Sequence, residues 1–190
     1  MVDSQVSAFS KFPQTPAAGA SWSFERLPSQ QSLQEAAAAR QSKLEAWVAQ
    51  ELAKQGFAAK PVAAGEVQYT VQINARMQRL ESGPFDYPDP WGHFGAGYGG
   101  LPGRDYVVTG SGRVIYLPVF PRYNPPWYVR EVSLLIRDAK SKAIVYETQA
   151  KHEGRWADDE AVLPAMLAAA LQGFPTPPEG KRMVNIEIAR

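Results

Sequence analysis

No cysteine occurs anywhere in the 190 residues, and histidine occurs only twice. The first absence excludes disulfides, thiolate metal sites and cysteine nucleophiles. The second leaves His93 and His152 as the only imidazoles available to a general base. An excess of one charge sign is also missing. Twenty basic against nineteen acidic side chains leave a formal net charge of +1, too little for the basic footprint that follows a phosphate backbone, so nucleic acid is not an expected partner. No apolar run approaches the roughly 20 residues a membrane-crossing helix needs. The opening "MVDSQVSAFS" lacks the basic and apolar regions of a secretory leader. What is present is 45% hydrophobic residues, enough at this length for one good core and too little for two. A single domain over 1–190 is expected, with a Gly/Pro/aromatic excursion at 84–103.

The clearest periodic stretch is "VQYTVQINARMQ", in which Val67, Tyr69, Val71, Ile73, Ala75 and Met77 alternate with polar residues. That spacing predicts a long strand with one buried and one wet face, which favours an antiparallel or mixed sheet covered on one side. Further strands are predicted around Val132–Ile136, Ile144–Thr148 and Val184–Ile188, with shorter ones near Val2–Phe9, Ser21–Arg26 and Arg113–Val119. Two helices supply the cover. The first opens with Ser32 and Glu35 at capping-box spacing, carries Leu33, Ala37, Leu44, Trp47, Val48 and Leu52 on one stripe, and stops at Gly56. The second is capped by Asp158, requires Pro164 in its first turn, and stops at Gly173. Gln55-Gly56-Phe57 and Gln172-Gly173-Phe174 both suit a left-handed glycine followed by an apolar residue folding back on the last turn. The fold class is therefore α/β of the α+β type: a two-layer sandwich with a mixed, mostly antiparallel sheet and two helices on one face.

Several groups invite a chemical reading. In "PFDYPDPWGHFGAGYGG", residues 84–100, Gly95, Gly97 and Gly100 have dinucleotide-loop spacing, but no strand precedes them and no helix follows, so the fingerprint fails its context. Asp86, Asp89 and His93 are types that hold divalent metals, yet among three prolines the aspartates serve better as turn formers. Ser111 in "TGSGR" lacks a nucleophile elbow and reads as a hairpin turn. His152 reads as a strand-end surface residue. Asp158, Asp159 and Glu160 fall in a first helical turn, where acids complement the macrodipole, and capping accounts for all three. "PVFPRYNPPWYVR" sets Phe120, Tyr123, Trp127 and Tyr128 beside Arg122 and Arg130, a pattern able to stack a ligand or a peptide. No catalytic residue, cofactor or metal ligand is expected. The candidate interaction surface is Trp91, Phe94, Tyr98, Arg122, Tyr123, Trp127 and Tyr128.

"VSLLIRDAKSKAIVYETQAKHEG", followed by "VLPAMLAAALQGFPTPPEGKRMVNIEI", resembles the bacterial envelope lipoproteins that carry domain of unknown function 4136. The likeness lies in a hairpin whose first strand ends in Arg137-Asp138 and whose second carries Val145-Tyr146-Glu147, then a helix ending in Gly173-Phe174-Pro175 and a last strand. The N-terminal half agrees in outline through "SWSFERLP", "ELAKQGF" and the alternating strand. The resemblance implies a non-enzymatic lipoprotein of the periplasm or outer membrane that contacts an envelope protein, cell-wall material or itself. It also implies attachment to the membrane only through an N-terminal lipidated cysteine, which these residues do not include. The alternatives are a small-ligand module using residues 84–103 and, third, a metal-dependent hydrolase.

Overall fold

The computed structural model describes residues 1–60, 65–80, 106–108, 114–116 and 126–188. The chain divides into two compact units, one formed by Met1–Arg79 with Tyr128–Arg190 and the other by Leu80–Trp127. In the second unit, β5 (Tyr106–Val108) and β6 (Val114–Tyr116) form a two-stranded antiparallel ladder. The excursion at 84–103 lies outside the described residues.

The first unit is built on β1 (Val2–Ser10), β2 (Ser21–Phe24), β3 (Ala58–Ala59), β4 (Tyr69–Leu80), β7 (Trp127–Asp138), β8 (Ile144–Gly154) and β9 (Lys181–Ile186). They make one seven-stranded sheet in the order β3-β2-β4-β7-β8-β1-β9. The half containing β7, β8, β1 and β9 is antiparallel, whereas β2 pairs in parallel with both β3 and β4. One face is wet. Arg137 Nη1 donates to Gln72 Oε1 at 3.0 Å and Lys151 sits 2.7 Å from Glu153 there. The other face, which carries Val6, Val71, Ile73, Val132, Leu134, Ile136, Tyr146 and Ala150, is buried. It shares one core with α2 (Glu35–Lys54) and α3 (Asp159–Ala170), giving the two-layer mixed sandwich that the alternation predicts.

The helix ends follow local chemistry, with differences from the sequence pattern. Ser32 does not cap α2. A four-residue helix, α1 (Pro28–Gln31), precedes it, and Gln30 Oε1 accepts from Leu27 N–H at 2.9 Å. Pro28 presets the first-turn geometry of α1, which ends at Ser32 and leaves Gln34 to open α2 without a side-chain cap. At the other end Gly56 is left-handed (φ 83°), Gly56 N–H donates to Ala53 O and Phe57 N–H donates to Leu52 O, each at 3.0 Å. Those two bonds satisfy otherwise orphaned carbonyls. The twin tripeptide behaves differently. α3 finishes at Ala170, and although Gly173 is left-handed (φ 82°), Phe174 N–H closes a short turn onto Leu171 O at 3.0 Å. Pro164 sits in the second turn of α3 rather than its first, so Glu160 O lacks the helical donor it would otherwise have. Met77 departs as well. It is 52% exposed, because the cover runs out before the end of β4.

Candidate functional site

Strand lengths create the site. β4 has twelve residues and β2 has four, and their pairing ends at Phe24 and Val71. Beyond it Glu25 N–H donates to Val71 O and Gln30 Nε2 donates to Ile73 O, both at 2.9 Å, so a side-chain amide closes the ladder that β2 leaves unfinished. The remainder of β4 borders an open groove of about 550 Å³. Leu33, Ala37, Leu44 and Trp47 line it from the α2 side, Ala75 and Met77 from β4, and Leu163 from α3. The spacing of the α2 residues repeats every three to four positions, which aligns them on one helical face.

Ion pairs hold the walls. Lys43 Nζ lies 2.5 Å from Glu160 Oε1 and 5.7 Å from the centre of the Trp47 ring, tying α2 to α3 across the groove. Arg130, fully buried on β7, donates through Nε to Asp159 Oδ1 at 2.6 Å and through Nη2 to Trp156 O at 2.7 Å. Its guanidinium carbon is 5.0 Å from the centre of the Tyr128 ring. A buried guanidinium requires such partners, and together they fix the start of α3 to the sheet. Asp158 is the cap itself, its Oδ1 accepting from Glu160 N–H at 3.0 Å and from Ala161 N–H at 3.2 Å. All three acids thus fall in the cap and first turn of α3, Asp158 as the cap and Asp159 and Glu160 in the turn it opens, where they also pair with Arg130 and Lys43. Behind the groove Glu45 receives two 2.7 Å hydrogen bonds from Arg26 and one of 3.1 Å from Gln41. Burial pushes the Glu45 carboxyl upward, but Arg26 and Gln41 outweigh it and hold the group below the usual carboxylate range.

The other polar groups fall as follows. His152 is buried, not superficial. It pairs across the sheet with Arg130, and its Nδ1 lies 2.7 Å from Asp3 O. This row of β8 faces the helices, a side the end-of-strand position did not reveal. Ser4 Oγ and Arg130 Nη1 are buried without a hydrogen-bond partner. Of the expected interaction surface, Trp127 and Tyr128 are half-buried at the start of β7. Trp91, Phe94, Tyr98, Arg122 and Tyr123 lie outside the described residues. So do Phe120, Asp86, Asp89, His93, Ser111 and the glycines at 95, 97 and 100. Among the described residues no three His, Asp or Glu side chains cluster as metal ligands, and no helix is long and apolar enough to cross a membrane.

A family model described as "Domain of unknown function (DUF4136)" matches residues 6–176, and the chain belongs to that family. No curated protein matches. Among solved structures, a PelC dodecamer from Paraburkholderia phytofirmans is 13% identical, with 92% of this chain and 99% of that chain covered and a TM-score of 0.46. A PDZ domain protein from Parabacteroides distasonis is 13% identical, with 95% of this chain and 38% of that chain covered and a TM-score of 0.49.

Proposed function

We propose that this protein is a non-enzymatic component of the bacterial cell envelope, a lipoprotein of the periplasmic side of the outer membrane, that works by holding a protein partner in the groove beside β4. One observation carries the reading. The groove keeps Met77 and the half-buried Trp47 open to solvent while the groups that would do chemistry nearby, Asp158, Asp159, Glu160 and Arg130, are each engaged in holding α3 in place. Apolar side chains left open within a rim of fixed charges suit recognition. The envelope location rests on the family likeness in the hairpin and last helix.

The test uses the protein expressed from its complete natural gene. Wild type is expected in the envelope fraction and, after mild detergent extraction, in a particle larger than the protein alone. Met77→Asp places a charge on an already exposed site, so folding is expected to survive while the larger particle is lost. Recovery from the cytosol, or an unchanged particle in the variant, would overturn the reading.

A further inference from the structure

We infer that the partner's contribution is an extended, acidic-and-apolar peptide segment that adds to the sheet as a strand along the stretch of the β4 edge that no described strand occupies. This rests on the groove being the contact surface and goes further by naming what fills it and how.

The backbone sets the mode. Successive strand residues direct their N–H and C=O groups to opposite edges. Val71 O and Ile73 O face the β2 side, where Glu25 N–H and Gln30 Nε2 meet them. Ala75, Met77 and Arg79 therefore present their N–H and C=O groups to that same side, where no strand pairs with β4 past Val71 among the described residues. An exposed edge of this kind is a template for strand addition. Ala75 and Met77 also line the groove. Every second side chain of an added strand would thus enter between β4 and the Leu33–Trp47 wall, and the occupant needs apolar residues at alternate positions. A helix could fill the groove but would leave those backbone groups unused.

Charge selects the sign of the remaining positions. The groove acids are neutralised, Glu160 by Lys43 and Asp159 by Arg130. The lining arginines are not. Among the described residues Arg40 makes only a 3.4 Å bond from Nε to Ala36 O, and exposed Arg76 has no ion-pair partner. Alternation sets Arg76 on the face of β4 opposite to Ala75 and Met77, beside the remaining positions of an added strand, and Arg40 borders the groove from α2, so the two guanidinium groups favour carboxylates flanking the apolar anchors.

The test titrates the whole purified chain with a capped eight-residue synthetic peptide alternating leucine or phenylalanine with glutamate, followed by amide NMR and hydrogen exchange. The expected result is that the amides of Ala75 and Met77 shift and become protected. Methylating alternate peptide nitrogens, which removes strand donors without changing side chains, is expected to weaken binding at least about tenfold. Arg40→Glu with Arg76→Glu is expected to weaken it several-fold and to flatten its salt dependence, with thermal unfolding confirming an intact fold. Failure of the peptide to bind, equal binding by the methylated peptide, or equal binding by a helical peptide of the same composition would each overturn strand addition. So would protection of the Ala75 and Met77 amides before any peptide is added, since the chain itself would then occupy the edge. If Met77→Asp still dissolves the envelope particle in any of those cases, the groove reading stands and only the strand mode falls.

Discussion

Tyr146 shows how far a single side chain can be read from its neighbours. Its alternation with Thr148 places it on the buried face, but not the ring cluster it joins. Phe174 packs edge-on with ring centres 4.8 Å apart, Phe12 stacks at 6.2 Å, and Tyr146 Oη reaches Ala170 O at only 3.5 Å. Phe12 and Phe174 belong to connections rather than strands, so strand periodicity says nothing of them. Burial pushes the Tyr146 hydroxyl up to about 12, against a smaller opposing pull from Arg182 and Thr148. The neutral ring is thus favoured in the fold. Its stabilising contribution is intact below the unfolded tyrosine value near 10 and is lost as pH rises from there through about 12. Tyr69 acts in the same direction, raised by burial and by Asp138. Tyr146→Phe is expected to leave stability at pH 7 nearly unchanged and to reduce, without abolishing, its fall between pH 10 and 12, by on the order of 2 kcal/mol. Denaturant midpoints across that range provide the measurement, and parallel curves for wild type and variant would contradict the assignment.

At the scale of elements, α2 was the most legible because several signals agree. Leu44, Val48 and Leu52 repeat at four-residue intervals, all three are buried, and Gly56 with Phe57 ends the helix by the predicted pair of bonds. Its start departs from the spacing for a local reason. Ser32 and Glu35 have capping-box spacing, but Pro28 nucleates a separate turn four residues earlier and takes Ser32 as its end. The groove was illegible because alternation in "VQYTVQINARMQ" states which residues can be buried, not how far the cover extends. The signal that would have exposed it is the mismatch between a twelve-residue strand and "SWSF", cut short before Pro28. Leu52 is fully buried, so Leu52→Ala is expected to cost roughly 2–5 kcal/mol, the range for a core leucine. A loss below about 0.5 kcal/mol in equilibrium unfolding would place the stripe outside the core.

For the whole molecule, the decisive fact is where the second unit enters and leaves. β4 and β7 are neighbours in the sheet and each has twelve residues. Ala139 N–H donates to Gln68 O at 2.9 Å, which sets the residue after β7 beside the residue before β4. The two strands therefore run antiparallel, and the same pairing carried along their equal lengths brings Leu80 next to Trp127. In the sheet they form a hairpin whose connection is 81–126. Loop-closure entropy grows only slowly with length, so a long insertion at such a place is tolerated, and the reverse operation is tolerated too. Among the described residues, the buried core falls within Val2–Ile73 and Val132–Val184. Replacing residues 81–126 by a two-residue Asn-Gly turn, which suits the twist of adjacent antiparallel strands, is accordingly expected to leave a chain that unfolds in one cooperative step. Its midpoint should lie close to the parent's, and the Leu52→Ala penalty should be retained. Circular dichroism and calorimetry measure both. A non-cooperative transition in the shortened chain would mean that residues 81–126 complete the core of the first unit, and the division at Arg79 and Tyr128 would then mark no independent fold.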